Sequence, residues 1–338
     1  MHVIGLDIGG AHLKGASNSG ECCSELFEIW RAPELLTDRL RQLLARFPPA
    51  DRLAVAMTAE LADCFATRAS GVQFIVDSAE QASAGIPVEF WSTEGGWLSP
   101  VEARQRPLEV AAANWHALAT WAGRLAPQGG ALLIDIGSTT TDIIPLWNGL
   151  PCPAARTDPG RLSSGELVYS GVRRTPLCAV AQEVLLHDRR CPVAAELFAT
   201  TLDVYLLLGK ILPNEEDRDT ANGRPATIPA ACDRLARMLC SDRDELTQDD
   251  LRQIAESFAL SQRDRIADAL QTVLARIARL DAILFSGSGD FLARDLIQER
   301  FATSSTRHIS LSEQFSPSLA EAACAYAAAV LAAEARSA

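Results

Sequence analysis

The sequence has no long apolar run, no cluster of basic residues and no CxxC motif, and each absence argues against a class of protein. No apolar stretch reaches about 18 residues, the length of a membrane-spanning helix, and no signal peptide precedes the first predicted strand. The net charge is −12 without any run of Lys or Arg, which argues against nucleic acid as the main partner. Nine scattered cysteines without a CxxC pair favour reduced thiols over disulfides or zinc. We therefore expect a cytoplasmic protein that binds neither membrane nor nucleic acid.

What the chain does have is a composition suited to folding. Its 338 residues suffice for two domains of ordinary size, each with its own core. Hydrophobic residues make up 48% and charged residues 22%, as in globular proteins. Because the net charge is negative, an anionic ligand would need locally placed cations, a metal ion or backbone N–H groups.

The most informative stretch is LLIDIGSTTTDIIP, residues 132–145, which is typical of a strand, a tight turn and a second strand. Asp135 is the only charge before the turn, and a carboxylate among core residues needs a partner, for which a metal ion is usual at a phosphate site. Gly137 allows a sharp turn and close approach to a ligand. Asp142 follows the turn. Hydroxyl and N–H groups that can surround an anion come from Ser138, Thr139, Thr140 and Thr141.

The same pattern occurs at the N-terminus, in residues 3–15, VIGLDIGGAHLKG. It supplies Asp7, the pair Gly9 and Gly10, and Lys14 on the returning strand. A single Asp-Gly turn is ordinary hairpin chemistry, but the repetition favours a duplicated anion site. This duplication resembles the actin-like ATPase and sugar-kinase superfamily. The resemblance implies an α/β fold of two ribonuclease-H-like halves around a central cleft, in which the hairpins hold phosphates and a divalent metal.

The coarse order of elements agrees with this fold class. Residues 1–57 read as three strands, a helix and a fourth strand, with the third strand at 25–30 and the fourth at 52–57. Glu60 follows the fourth strand, where α/β proteins place ligand groups, although an exposed loop acid is the alternative.

The resemblance also implies a division into domains. We expect an N-terminal half at 1–128 and a C-terminal half at 129–317, with a helical insertion at about 190–279. A last helix at 318–336 should return to pack on the first half.

Periodicity predicts further helices at 108–125, 194–211, 249–261 and 263–279. The polar loop at 213–229 has acids that could hold a divalent cation, although its spacing does not match an EF-hand.

Two further stretches predict anion contacts. Arg173 and Arg174 carry guanidinium forks that match phosphate or carboxylate oxygens, although solvated surface arginines are the alternative. A strand leads into a glycine-rich turn and then a helix, which favours an anion or nucleotide cradle made by Gly287, Ser288 and Gly289.

Several stretches together resemble one narrower family. They are MTAEL at 57–61, ANW at 113–115, the turn at 135–142, YSGVRRTP at 169–176, TTLDVY at 200–205, RLARM at 234–238 and the turn at 286–290. The chain is similar, nearly end to end, to hydantoinase/oxoprolinase-related proteins linked to tetrahydromethanopterin-dependent one-carbon transfer. In archaea this family includes a methanofuran-biosynthesis synthase. That enzyme joins an aminomethyl-furan-methanol diphosphate to γ-glutamyltyramine as an aryl ether and releases diphosphate.

The resemblance implies alkyl transfer from a diphosphate donor to a phenol. Asp7 and Asp135 would hold Mg²⁺, and Lys14 would assist catalysis. The phenol, with an ordinary pKa near ~10, needs a base, which Asp142 or Glu60 could supply. Arg173 or Arg174 could hold the γ-glutamyl carboxylate. The diphosphate would lie between the hairpins, against Gly9, Gly10, Lys14, Gly137, Ser138, Thr139 and Thr140.

Two alternatives remain open at this point. The first is an ATP-dependent small-molecule kinase or an oxoprolinase-like or hydantoinase-like hydrolase, in which the hairpins hold ATP and the turn at 286–290 meets its adenosine. The second is a non-catalytic actin-like sensor. The acceptor, of tyramine or tyrosine type, and the identity of the base are likewise open, and we expect a possible homodimer.

Overall fold

The computed structural model describes residues 1–301 and 306–335. The first part of the chain builds a mixed sheet with helices on its faces. Its elements are β1 (Val3–Ile8), β2 (His12–Ser17), β3 (Cys22–Leu26), α1 (Leu36–Leu44), β4 (Arg52–Met57), α2 (Arg68–Ala82), β5 (Val88–Trp91), β6 (Trp97–Leu98), α3 (Pro100–Gln105), α4 (Pro107–Val110) and α5 (Asn114–Ala122).

The remainder builds a second sheet, a helical region and the C-terminal helices. These elements are β7 (Gly130–Ile136), β8 (Thr141–Trp147), β9 (Leu150–Pro151), α6 (Asp158–Ser164), β10 (Leu167–Val168), α7 (Leu177–Val180), β11 (Glu183–Leu186), β12 (Arg189–Pro192), α8 (Thr201–Leu207), α9 (Ile228–Arg237), α10 (Gln248–Leu274), β13 (Ala282–Ser286), α11 (Asp290–Arg300), β14 (Arg307–Ser310), α12 (Leu311–Gln314), α13 (Pro317–Glu321) and α14 (Ala323–Glu334).

The two sheets repeat one topology. The first has the order β3-β2-β1-β4-β5-β6, with β1–β2–β3 antiparallel and β4 and β5 added in parallel. The second has the order β10-β8-β7-β13-β14, with β7–β8 antiparallel and β13 and β14 parallel to β7, while β9 pairs with β8. A hairpin followed by parallel strands, found twice, confirms the predicted α/β fold of two ribonuclease-H-like halves.

The central strands are buried because helices cover the sheets. All six residues of β1 and all six of β4 are buried, as expected for strands covered on both faces. The alanine-rich helix α14 packs on β1, β2 and β4. The helix lies very close to β1, because a methyl group at Gly5 of that strand would collide with the carbonyl oxygen of Ala325 in α14. The small side chains of α14 allow this close approach. The division at residues 128 and 317 stays a prediction.

Several predicted boundaries were wrong. The predicted strand at 25–30 lies at Cys22–Leu26. The predicted helix at 108–125 is broken, because Ala112 has a φ of 47° between α4 and α5.

Farther along the chain, the predicted helix at 194–211 begins only at Thr201, where Thr200 and Asp203 form a capping box. The helices predicted at 249–261 and 263–279 are one helix, α10. Its buried Gln262 hydrogen-bonds inward and does not interrupt it.

The last predicted helix, at 318–336, is divided into α13 and α14, and its final residue lies outside the described residues. Within residues 1–301 and 306–335, no helix has both the length and the hydrophobicity needed to cross a membrane.

Candidate active site

The tips of the β1–β2 and β7–β8 hairpins face one cavity of about 440 Å³, which we call the hairpin cavity. The structure brings together here most of the residues that the sequence predicted for an anion site. They are Asp7, Gly9, Gly10, Lys14, Asp135, Gly137, Ser138, Thr139, Thr140, Asp142, Arg173, Gly287 and Ser288.

The two turns close in the same way. The amide of Gly9 donates to the carbonyl of His12 at 3.0 Å, and that of Gly137 donates to the carbonyl of Thr140 at 2.9 Å. Behind each turn, an aspartate faces the residue directly opposite on the returning strand, and such cross-strand pairs interact. The two pairs differ in charge. In the first hairpin, Asp7 faces a cation, Lys14.

In the second hairpin, Asp135 faces another acid, Asp142. Burial, reinforced by the charge of Asp142, raises the pKa of Asp135 to about 7. Burial also raises the pKa of Asp7, but Lys14 and a 3.3 Å hydrogen bond from Asn114 oppose the rise. The hairpin cavity therefore has more carboxylate charge than its cations balance.

This charge excess fits a divalent cation. Among the described residues, no three or more His, Cys, Asp or Glu side chains are grouped so that they could hold a metal. Mg²⁺, however, commonly binds one or two carboxylates together with water and phosphate oxygens. Asp7 and Asp135, which line the same cavity, suit such a site.

The YSGVRRTP segment supports the second hairpin from behind. The amide of Val172 donates to the carbonyl of Gly137 at 3.0 Å, and the amides of Arg173 and Arg174 donate to that of Ser138 at 3.0 and 2.9 Å. A methyl group at Gly171 would collide with the turn backbone, so only glycine permits this packing. The segment thereby fixes the turn whose hydroxyls line the cavity.

Helices α8 and α10 hold this segment through a buried hydrogen-bond network. Gln262 donates to Ser170 Oγ and to the carbonyl of Gly171, both at 2.8 Å. Tyr205 donates to Gln262 Oε1 at 2.6 Å, and Thr201 donates to the carbonyl of Gly171 at 2.8 Å. The helical region thus contributes to the site indirectly, by positioning the turn.

The two predicted arginines serve different cavities. Arg173 lines the hairpin cavity and pairs with Asp217 at 2.7 Å. Arg174 pairs with Asp219 at 3.1 Å, and its guanidinium lies 5.0 Å from the centre of the Trp30 ring, in a second cavity. The acids of the loop at 213–229 therefore engage arginines.

Only part of the glycine-rich turn after β13 lines the hairpin cavity. Gly287 and Ser288 line the hairpin cavity, with Gly287 at a φ of 86° against the carbonyl of Ile136. Gly289 does not line the cavity, contrary to its predicted place in an anion cradle. Its amide donates to the carbonyl of Ile136 at 2.8 Å, and a side chain there would strike Ile136 and Val172.

A second cavity, of about 560 Å³, adjoins the first; we call it the aromatic cavity. Its apolar wall consists of Trp30, Leu61, Trp115, Leu162, Leu167 and Tyr169. Its ionisable lining comprises Glu60, Asp63, Arg68, Asp142, Asp158, Arg161 and Arg174. Residues of both hairpins line both cavities, so the two spaces meet between the hairpin tips. The shared residues are Gly10, Ala11, Thr58, Asn114, Thr139, Thr140 and Asp142.

Glu60 is a buried carboxyl in the aromatic cavity and not an exposed loop acid. Glu60 is 1% exposed, and burial raises the pKa of its carboxyl group to about 7. The nearest cation, the Arg68 guanidinium, lies 3.7 Å away and is shared with Asp158. A carboxyl with a pKa near neutrality is suited to exchange a proton with a ligand.

Asp142, the other candidate base, is held in a salt bridge. Arg161, itself 1% exposed, donates to Asp142 at 2.8 Å, and its guanidinium stacks 3.9 Å from the centre of the Trp115 ring. This salt bridge already engages Asp142, whereas Oε2 of Glu60 has no hydrogen-bond partner among the described residues, so Glu60 is the freer of the two candidate bases.

Sequence reasoning did not assign functional roles to Trp30, Trp115, Arg161 and Asn114. Asn114 and Trp115 lie on α5, Arg161 on α6 and Trp30 between β3 and α1, and only the ANW stretch marked two of them, as part of the family resemblance. Asn114 reaches Asp7 in the hairpin cavity, while its neighbour Trp115 lines the aromatic cavity. The break before α5 places both at a helix start between the two cavities.

Comparison with known proteins gives relatives along most of the chain. The family described as Hydantoinase/oxoprolinase matches residues 51–334. A protein of Methanocaldococcus jannaschii named (4-{4-[2-(γ-L-glutamylamino)ethyl]phenoxymethyl}furan-2-yl)methanamine synthase is 32% identical over 300 residues, covering 88% of this chain and 89% of the relative. A protein of the same name from Methanococcus vannielii is 31% identical over 200 residues, covering 59% of this chain and 89% of the relative.

A solved structure, component A of (R)-2-hydroxyglutaryl-CoA dehydratase from Acidaminococcus fermentans, aligns over 99% of this chain and 100% of its own. Its TM-score is 0.48 at 13% identity, a level at which the likeness carries no functional inference.

Proposed function

The chain belongs to the hydantoinase/oxoprolinase family, and we propose that it is a synthase of methanofuran-type cofactor biosynthesis that joins a furan-methanol diphosphate to a phenol. The family resemblance inferred from the sequence is thereby confirmed. The proposal rests on one structural observation above all: the hairpin cavity, which Lys14, Arg173 and the hydroxyls of the second turn help to line, shares lining residues of both hairpins with the aromatic cavity. A diphosphate donor and a phenolic acceptor need adjoining sites of these two kinds.

The diphosphate of the donor occupies the hairpin cavity in this proposal. Lys14 and Arg173 supply positive charge, and the turns supply hydroxyl and N–H groups. Lys14 is held by a 2.9 Å hydrogen bond to the carbonyl of Glu321. Mg²⁺ held by Asp7 and Asp135 would neutralise charge on the departing diphosphate.

The phenol of the acceptor enters the aromatic cavity, where Glu60 takes its proton. The phenolate oxygen forms a bond to the methylene carbon beside the furan ring, and the bond from that carbon to the diphosphate oxygen breaks. The bonding electrons leave with diphosphate, and the ring stabilises positive charge on the carbon during the exchange. Arg174, stacked near Trp30, lies where it can bind the γ-glutamyl carboxylate.

Ligand-induced thermal stabilisation distinguishes this proposal from the ATP-dependent alternatives. The protein with Mg²⁺ is heated with diphosphate, ADP or ATP, and a ligand at 100 times its Kd adds about 2.7 kcal/mol of stability. We expect stabilisation by diphosphate and none by the adenine nucleotides. Strong stabilisation by ATP or ADP would instead identify a kinase or an ATP-dependent hydrolase.

Replacing Glu60 tests the proposed base. With donor and γ-glutamyltyramine, diphosphate release by the wild type should rise with pH through about 7, because Glu60 must be ionised to accept a proton. Glu60→Gln should lower kcat on the order of 100-fold or more and remove this rise. Glu80→Gln, on α2 outside both cavities, is the matched control. An unchanged pH profile in Glu60→Gln would exclude Glu60 as the base.

A further inference from the structure

Three buried polar atoms on residues that line the aromatic cavity have no hydrogen-bond partner in the part of the chain that the structure describes. One is an acceptor, Oε2 of Glu60, and two are donors, Nε1 of Trp115 and Nε of Arg161. Glu60 and Trp115 are 1% and 2% exposed. Buried polar groups are normally paired, so an unpaired donor and an unpaired acceptor in one cavity point to a ligand that supplies both partners.

A hydroxyl group meets this requirement, because its oxygen accepts one hydrogen bond while its hydrogen is donated in another. The surrounding wall is aromatic and apolar, which suits a ring that carries the hydroxyl. We propose that the indole N–H of Trp115 donates a hydrogen bond to the phenolic oxygen of the acceptor while Glu60 takes its proton. This inference rests on the proposed function and names the groups that recognise its acceptor.

The neighbours of Trp115 strengthen it as a donor. The Arg161 guanidinium lies over the indole at 3.9 Å from the ring centre, a cation–π contact that draws electron density from the ring. Arg161 is itself fixed by Asp142 at 2.8 Å and by the carbonyl of Glu166 at 3.0 Å. A hydrogen bond to an oxygen becomes stronger as that oxygen gains negative charge, so Trp115 favours the phenolate over the phenol.

Other tryptophans show that this arrangement is particular to Trp115. The indole of Trp91, also buried, donates to Nδ1 of His116 at 3.1 Å and so has its partner within the fold. Trp121 lies on the same helix as Trp115, but it packs against Phe315 and Tyr326 at ring distances of 5.4 and 5.2 Å. Trp121 is not among the residues that line either cavity and therefore provides a matched control.

The test compares two acceptor analogues that differ by one oxygen atom, γ-glutamyltyramine and γ-glutamyl-2-phenylethylamine. Calorimetry of the full-length protein with diphosphate and Mg²⁺ gives the ratio of their dissociation constants. The wild type should prefer the phenol about tenfold, because its hydroxyl hydrogen-bonds to both Trp115 and Glu60. Trp115→Phe should reduce this preference to about threefold, the part that Glu60 supplies, while binding the deoxy analogue within threefold of wild type. Trp121→Phe should keep the tenfold preference.

A second variant covers the case in which Trp115→Phe does not fold. Incorporation of 3-benzothienylalanine at position 115 keeps the bicyclic shape and replaces the N–H by sulfur. This variant should show the same reduced preference for the phenol. Its kcat deficit should shrink with a ring-fluorinated phenol, whose lower pKa makes the donor less necessary.

The outcomes separate this inference from the proposed function. Retention of the tenfold preference in a folded protein without the indole N–H would overturn the role of Trp115 and leave the synthase proposal intact. Wild-type protein that binds neither analogue would overturn the proposed function itself, and with it this inference.

Discussion

The two Asp-Ile-Gly hairpins share a backbone but carry different charges. In both, the glycine amide closes the turn onto the carbonyl three residues later. In the first hairpin, Asp7 faces Lys14, so the acid has a local counter-ion. In the second, Asp135 faces Asp142, so two acids lie side by side. Duplication of a fold therefore does not duplicate its electrostatics, because Asp142 raises the pKa of Asp135 while Lys14 opposes the rise in the pKa of Asp7.

The supports of the two turns differ as well. The second turn is backed by the YSGVRRTP segment, whose amides hold the carbonyls of Gly137 and Ser138. In the first turn, a Cβ atom added at Gly10 would meet no atom of the described residues within 4 Å, apart from its chain neighbours. The second turn is thus held by backbone hydrogen bonds and has an acid opposite Asp135, while the first has a lysine opposite Asp7 and open space at Gly10.

The largest expected effect concerns the unbalanced acid. Asp135→Asn should lower diphosphate release on the order of 1,000-fold, because it removes a charge that a cation at the leaving group requires. Asp7→Asn should cost less, since Lys14 remains. Turnover is measured across a Mg²⁺ titration, with Asp38→Asn on the surface of α1 as control. If Asp135→Asn kept wild-type turnover and Mg²⁺ dependence, the metal role of Asp135 would be wrong.

The counter-ion of the first hairpin should have the next largest effect. Lys14→Met should reduce turnover on the order of 100-fold, as loss of one group that stabilises a developing negative charge does. The chain has one other lysine, Lys210, which pairs with Asp295 at 2.8 Å outside the hairpin cavity. Lys210→Met is therefore the natural control and should have little effect. Equal losses in both variants would show that Lys14 acts through overall charge only.

A substitution in the YSGVRRTP segment, which holds the second turn, should lower the stability of the protein. Gly171→Ala places a methyl group against the backbone of residues 137–139 and should lower the free energy of unfolding by about 2 kcal/mol. Gly10→Ala should change it by less than about 0.5 kcal/mol. Urea denaturation measures both. A Gly171→Ala protein as stable as Gly10→Ala would mean that the two turns are supported alike.

The smallest expected effect is a pH dependence of stability. Between its ordinary pKa of 3.8 and its folded value of about 7, Asp135 holds a proton in the folded state that it loses in the unfolded state. The free energy of unfolding therefore falls as pH rises through this range, and Glu60 contributes with the same sign.

At pH 8 without ligands, Asp135→Asn should consequently be more stable than wild type by at least about 1 kcal/mol. Asp7→Asn should gain less, because Lys14 opposes the rise of its pKa. Denaturation at pH 5 and pH 8 measures this difference. Equal gains in the two variants would remove the electrostatic contrast between the hairpins.

Local patterns were sufficient to predict the hairpins, because each is a strand, a turn and a strand within about fifteen residues, with register set by the turn. They were insufficient for the helix boundaries. The positive φ of Ala112 divides a stretch that looks continuously helical. Gln262, which lay between two predicted helices, is inside α10 and hydrogen-bonds inward.

The candidate site shows the same limit. The sequence placed Gly289 in an anion cradle, but packing against Ile136 and Val172 takes it away from the cavity. It left the choice between Asp142 and Glu60 open, because the environment that separates them comes from distant residues. The salt bridge of Asp142 depends on Arg161, and the raised pKa of Glu60 depends on burial.

The sequence alone thus determined the fold class, the paired hairpins and the family, because each depends on residues close together in the chain or on a pattern repeated along it. Only the tertiary structure decided which acid lies beside which cation. It alone also placed an aromatic cavity beside the hairpin cavity and left two atoms on its lining residues, Nε1 of Trp115 and Oε2 of Glu60, without hydrogen-bond partners among the described residues. The physical reason is that burial and electrostatic interaction depend on distance in space, and residues from several separate elements set those distances.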